Sequence, residues 1–358
     1  MITIHQTIPE FSTFSELLHY DPETSVFFDI ETTGFSPASS VVFLIGAIYK
    51  TENNWKLSQY LAENPQEEKA LIETFLTLTA TYETLIHFNG ATFDLPYLSQ
   101  KAEQYQLTNT LTYLQSIDLY QNFRPLKKLF SLEHMNQSSL ERFLNWERTD
   151  RLTGRHMVSL FQKYTRSKEP GLRELLLLHN HDDLIGMTKL LCLCTYSSLA
   201  KLAKQPVLQT NSLDSSQFQI LFSLHTAILH PLSCLINHIW QLDIQGTSGT
   251  LSIPVIRGEL LYFFPDYKNY YYLPLEDQAI HKSVGTYVDK AHRQQAKAQN
   301  CYIRKNSSFL PQPESLFEPV FRVSYEDPVR YFECTSAFAD NSEALLQYVQ
   351  LILQKLTE

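Results

Sequence analysis

Val26-Phe27-Phe28-Asp29-Ile30-Glu31-Thr32-Thr33-Gly34 is an apolar, strand-forming run that ends in two acids one residue apart. Strand side chains alternate between faces, so Asp29 and Glu31 point the same way at the end of a strand whose other residues are core formers. Two carboxylates crowded at a buried strand end are costly unless a cation neutralises them, and a divalent metal is the simplest candidate.

Outward from this run the first 200 residues alternate between strand-like and helix-like segments. Val41–Tyr49 reads as a second strand in a hairpin with the first, and Trp55–Ala62 as a third. Pro65 opens an amphipathic helix with acids in its first turn. Thr84–Phe88 is a fourth strand, followed by a helix from about Phe93 to Tyr105, and a fifth short strand ends at Asp118. Helices fill the stretch to about residue 202, the last beginning near Leu172. Strands in a hairpin, then strands alternating with helices, predict an α/β domain with a mixed sheet over residues 1–204. The polar, aperiodic stretch at 205–217 reads as a linker. Residues 218–358 read as a smaller α+β domain rich in β-formers, with helices at about Ala279–Lys297 and Ser342–Leu356.

Two further motifs carry acids. His87-Phe88-Asn89-Gly90-Ala91-Thr92-Phe93-Asp94 puts Asp94 in the first turn of a helix after a strand, as a cap or as a group facing the sheet end where Asp29 and Glu31 sit. In Leu178-His179-Asn180-His181-Asp182-Asp183 on the last long helix, His179 and Asp183 share a face at i,i+4. Taken singly, each has a bland reading as a cap or a surface pair. Asp118 is a fifth acid near the sheet end, for which a structural role is the expectation.

Taken together and in this order, FFDIETTG, HFNGATFD and HNHDD resemble the DEDD (DnaQ-like) superfamily of 3′–5′ exonucleases, and more closely its YprB-like group. The resemblance covers roughly residues 24–195. It implies a ribonuclease-H-like fold and a site of Asp29, Glu31, Asp94 and Asp183 holding two divalent cations, Mg²⁺ or Mn²⁺. An oxygen-only donor set of four carboxylates suits such ions and balances their charge. His179 is then the candidate general base, since an imidazole takes up a proton near neutral pH. It stands four residues ahead of Asp183, whereas the superfamily's histidine stands five ahead. Thr33 and Gly34 are candidates to offer backbone N–H groups to a terminal nucleotide, and Asn89 its side chain.

Charge distribution agrees with a phosphodiester substrate. The chain of 358 residues carries a formal net charge of −9, which argues against a protein that merely coats nucleic acid. Residues 1–123 hold 4 Lys+Arg against 15 Asp+Glu, but residues 124–168 hold 10 against 4, including Arg124, Lys127, Lys128, Arg148 and Arg151. These residues either steer a nucleic-acid backbone toward the acids or solubilise helices. In the second domain Lys282 and Arg293, near a tyrosine-rich run at 267–272, form a candidate nucleic-acid grip, with ordinary strand packing as the alternative. The expected activity is hydrolysis at single-stranded or frayed 3′ ends of DNA or RNA; the alternatives are a structure-specific endonuclease on the same acids or a catalytically silent nucleic-acid-binding protein. Five cysteines without CxxC spacing suggest neither a zinc site nor a disulfide framework, and a cytoplasmic location fits that usage. The most apolar long stretch, Leu221–Trp240, is too polar to span a bilayer, and no signal peptide is read. No feature of the sequence points to an oligomeric state.

Overall fold

The computed structural model describes residues 1–52, 54–127, 129–130, 132–150, 152–207 and 216–356. The chain divides into two units, Met1–Ser198 and Leu199–Glu358. The division falls ahead of the expected boundary at 204, because the backbone of Ala203–Val207 pairs with Gln217–Leu224 inside the second unit's sheet. The expected linker is therefore partly strand at both ends, and its centre at 208–215 lies outside the described residues.

The first unit is a mixed six-stranded sheet flanked by helices. Its strands are β1 (Ile2–Ile8), β2 (Ser25–Thr32), β3 (Val42–Lys50), β4 (Trp55–Leu61), β5 (Thr84–His87) and β6 (Gln115–Asp118), in the spatial order β1-β4-β3-β2-β5-β6. β1 to β4 pair antiparallel, whereas β2, β5 and β6 run parallel. β1 is absent from the sequence reading: its alternation is weak because most of its side chains are exposed or half-buried on an edge strand. The parallel strands need crossovers, which are helix α1 (Glu68–Thr79) after β4 and helix α2 (Asp94–Gln104) after β5.

The two faces of β2 belong to different layers. Val26, Phe28 and Ile30 pack in one cluster with Leu71, Phe75 and Leu98 of α1 and α2. Asp29 and Glu31 point to the other side, where helices α3 (Gln137–Phe143), α4 (Gly154–Ser167) and α5 (Pro170–Leu190) lie. Pro170 opens α5, where its missing N–H costs nothing. The long helix stops at Leu190, short of the expected 202, and gives way to brief helical turns. Gly46 on β3, directly across from Asp29, is what lets α5 approach: a Cβ there would sit 2.1 Å from Asn180 Oδ1 and 2.5 Å from Leu184 Cδ1.

Behind the sheet end, the buried Glu68 accepts from the Val42 N–H at 2.7 Å and pairs with Lys101 at 3.0 Å, while Lys101 also donates to the Ser40 carbonyl. This network pins the turn that carries Thr33 and Gly34.

The second unit is rich in sheet: a five-stranded sheet, a small closed barrel and a three-stranded sheet, with one long helix at Ser342–Gln354. The expected helix at 279–297 does not form. Gln278–His281 instead pairs as a strand with Tyr270–Leu273, and Asp289 caps a separate 3-10 turn. Only one helical turn forms in this stretch, Lys282–Gly285, and Gly285 packs it so tightly on Tyr271 that a Cβ would lie 2.9 Å from the ring. All five cysteines are free thiols. Among the described residues no helix is long and apolar enough to cross a membrane.

Candidate active site

Asp29 and Glu31 reach the end of β2 side by side, and the pairing with β3 shifts register between Glu31 and Thr32. A bulge of this kind bends a strand locally and re-aims its side chains. Facing them, α5 presents His179, Asn180 and Asp183. One oxygen of Glu31, one ring nitrogen of His179 and one oxygen of Asp183 all lie within 4.8 Å of one another. His179 Nε2 is 3.5 Å from Glu31 Oε1 and 3.5 Å from Asp183 Oδ2. Asp94, the first residue of α2, joins from the opposite layer, its carboxylate accepting from the backbone of Ile30 and of Asp94 itself.

These acids feel one another. Burial raises the Asp29 pKa well above the ordinary carboxylate value, and the charges of Asp183 and Asp94 raise it further. Glu31 is raised likewise, by burial first and then by Asp29, Asp183 and Asp94. Asp94 is pushed up to about 7, chiefly by burial. Several carboxylates that resist joint ionisation, with oxygen donors converging beside an imidazole, are what a hard divalent cation would relieve. The residues present therefore fit Mg²⁺ or Mn²⁺.

Four groups that hold the cluster were not expected as site residues. Asn180 donates to Asp29 Oδ2 at 3.0 Å and is itself held by Gln59, whose amide donates to Asn180 Oδ1 at 3.0 Å and to the Leu177 carbonyl at 2.8 Å. Arg148, read only as part of a basic strip, bonds Asp183 Oδ1 at 2.7 Å and forms a two-pronged pair with the buried Glu141. Burial works against the Arg148 charge, and Glu141 and Asp183 more than restore it. Asp150 hydrogen-bonds His179 Nδ1, and its own N–H donates to Asp182 Oδ2 at 2.8 Å. The sequence around His179 gives no sign of this particular partner, since residues 150 and 179 are 29 positions apart and meet only when the chain before α4 lies along α5. Gly186 makes the adjoining approach of α3 possible: a Cβ there would lie 2.0 Å from Glu141 Oε1.

The other expected residues are placed as follows. Asp118 is structural: it caps the helical turn after β6, accepting from Tyr120 N at 3.0 Å, and holds the β5 loop through Asn89 N at 2.8 Å and Ala91 N at 3.3 Å. At the end of β5, burial lowers the His87 pKa to about 4, and the neutral ring accepts from the loop's Gly90 N–H at 3.1 Å. Asn89 is exposed in a left-handed conformation, its side chain bonded by Thr92 Oγ1 at 3.2 Å. One expectation needs correcting: the Thr33 N–H donates to the Val41 carbonyl at 2.9 Å, so it is engaged in the turn and not offered to a ligand. Gly34 lies in the same turn, its carbonyl accepting from Thr32 Oγ1 at 2.9 Å and Ser40 Oγ at 3.0 Å. Arg124 and Lys127 are exposed, and Lys128 and Arg151 lie outside the described residues. In the second unit, Lys282 and Arg293 both sit over the Tyr271 ring, at 5.4 and 4.6 Å from its centroid.

Residues 26–194 match the RNase_H_2 family of the RNase_H superfamily. The uncharacterized protein YprB of Bacillus subtilis (strain 168) is 25% identical over 175 residues, which are 48% of this chain and 42% of that protein. Solved structures with a similar chain path include exonuclease I (11% identity, 56% of this chain and 55% of that one, TM-score 0.33) and the Aedes aegypti Nibbler EXO domain (12%, 51% and 82%, TM-score 0.32). A family B DNA polymerase from the archaeon Pyrobaculum calidifontis is a third (15%, 93% and 46%, TM-score 0.39). The chain thus spans less than half of its curated relative and little more than half of exonuclease I.

Proposed function

We propose, from the premise that residues 26–194 form a ribonuclease-H-like unit, that this chain is a metal-dependent nuclease that removes nucleotides from single-stranded or frayed 3′ ends of DNA or RNA. The observation that carries the reading is the convergence of Glu31, His179 and Asp183 within 4.8 Å at the end of β2, with Asp183 and Asp94 both close enough to raise the pKa of Asp29.

In this reading Asp29, Glu31, Asp94 and Asp183 hold two Mg²⁺ or Mn²⁺ ions. Such ions supply the acidity that makes water a nucleophile near neutral pH and the charge that stabilises a departing 3′ oxygen. The protein's own groups do the rest. Asp150 keeps a proton on His179 Nδ1, so Nε2 stays an acceptor and faces the cluster, where it takes the proton of an attacking water. Arg148 occupies Asp183 Oδ1 and leaves Oδ2 toward the cluster. Asn180 does the same for Asp29 through Oδ2. Asn89, Arg124 and Lys127 are candidate contacts to the sugar-phosphate backbone, joined by Lys128 from the sequence. Lys282 and Arg293, paired over Tyr271, are candidates in the second unit.

Incubation of 5′- and 3′-labelled DNA and RNA, single- and double-stranded, with Mg²⁺ or Mn²⁺ tests this. Stepwise shortening from the 3′ end that stops with chelator is expected. Internal cuts in a closed circular substrate would replace the exonuclease reading with an endonuclease one. No cleavage of any substrate with either ion would reject both.

A further inference from the structure

A cavity of about 700 Å³ opens beside the acid cluster, with Asp183 and Arg148 at one side and Arg142 and Trp146 among its walls. Its volume lies in the range of small-ligand sites. Three features of the wall are unusual together. Trp146 is the chain's one tryptophan that is not buried; Trp55 and Trp240 are 1% and 2% exposed. Its half-buried indole has no hydrogen-bond or aromatic partner among the described residues. Arg142 is exposed and forms no ion pair among the described residues; it donates only to the Ser138 carbonyl at 3.3 Å and to Ser139 Oγ at 3.2 Å. The carboxylate deepest in the wall, Glu141, is neutralised by Arg148, which leaves Glu147 as the exposed acid at the rim.

We propose that this cavity is the subsite for a terminal nucleotide, with Trp146 stacked on the base and Arg142 holding a phosphate. This rests on the nuclease reading above and adds to it the side chains that grip the strand end. A planar indole beside a guanidinium that forms no ion pair among the described residues matches a base joined to a phosphate, and the cavity's continuity with Asp183 puts the adjoining phosphodiester at the acids. Stacking on an aromatic side chain depends little on which base is present, so the subsite takes any of the four.

The test uses the full chain as wild type, Trp146→Ala, Trp146→Phe and Arg142→Gln. The probes are a single-stranded oligonucleotide and its counterpart with an abasic 3′-terminal residue, 5′-labelled with a fluorophore. Binding is followed by anisotropy in chelator, and cleavage by kcat and KM with Mn²⁺. Wild type is expected to bind the natural end about 5- to 100-fold tighter than the abasic end. Trp146→Ala is expected to lose that discrimination, with the loss appearing in KM, and Trp146→Phe to recover most of it. Arg142→Gln is expected to weaken both probes alike. If Trp146→Ala discriminates the two ends as well as wild type does, the subsite is overturned, whether or not cleavage is seen. If no cleavage occurs but discrimination in chelator depends on Trp146, the nuclease reading fails and the subsite stands.

Discussion

His179 turns Nδ1 to the Asp150 carboxylate while its Nε2 stands 3.5 Å from both Glu31 and Asp183. One ring nitrogen is committed to the protein and the other to the site, which fixes both the orientation of the ring and the place of its proton. Asp150→Ala is expected to lower kcat about 10- to 100-fold, with KM changed by less than about threefold. Asp150→Asn keeps an oxygen acceptor and is expected to recover part of the rate. A kcat unchanged in Asp150→Ala would reduce Asp150 to a packing role.

Metal binding should be visible in stability before any substrate is added. The folded-state pKa values of Asp29, Glu31 and Asp94 are raised above the unfolded ones, so their ionisation opposes folding. The stability linked to Asp94 is full below about pH 4 and is lost as pH rises through about 7, where the acid ionises in the fold. A divalent cation offsets this loss only where the acids are charged. Mn²⁺ is therefore expected to raise the melting temperature by a few degrees at pH 8 and by little at pH 5. Equal shifts at both pH values would contradict the proposed ligands.

Removing one acid should trade stability against activity. Asp29→Asn and Asp183→Asn are each expected to abolish cleavage. Asp29→Asn is also expected to melt higher than wild type in chelator at pH 8, because one buried charge is gone. Differential scanning fluorimetry with and without Mn²⁺ checks this, and a fall in the metal-free melting temperature of Asp29→Asn would count against the argument.

Arg148 links two carboxylates, one of them, Glu141, only 1% exposed. Arg148→Met leaves Glu141 charged and unpaired, at an expected cost of about 3–5 kcal/mol. Adding Glu141→Gln should restore more than half of that loss in urea denaturation, while activity stays low because Asp183 has lost its anchor. Additive losses in the double variant would show that the pair is not coupled.

Gly46→Ala places a methyl group into Asn180 and Leu184. It is expected to destabilise the first unit by about 1–3 kcal/mol and to lower activity by shifting α5 from β2. Wild-type activity in this variant would mean that the Asn180 bond to Asp29 is dispensable.

The strand acids were legible in the sequence because a period of two leaves no freedom: if Asp29 is inward at the strand end, so is Glu31. The His179/Asp183 pair was legible for the same reason at a period of four. Asp94 was legible from its place after a strand and an Asn-Gly turn. What stayed hidden depends on chain segments meeting. Asp150, Arg148 and Gln59 reach the site from a loop and a neighbouring strand, at separations that carry no periodic signal. The helix expected at 279–297 failed for a different reason: its composition is helix-compatible, yet pairing of Gln278–His281 with the tyrosine strand outweighs local propensity.

Arg148 and Asp150 flank the exposed Thr149 and grip α5 at Asp183 and at His179, one helical turn apart, while the Asp150 N–H takes Asp182 between them. Three consecutive residues thus act as a ruler laid on the helix. A single-residue insertion within them would leave every catalytic side chain in place and still take away either the base's partner or the ligand's, since one reach cannot serve both. The spacing of Arg148 and Asp150 is thereby matched to the single helical turn that separates His179 from Asp183.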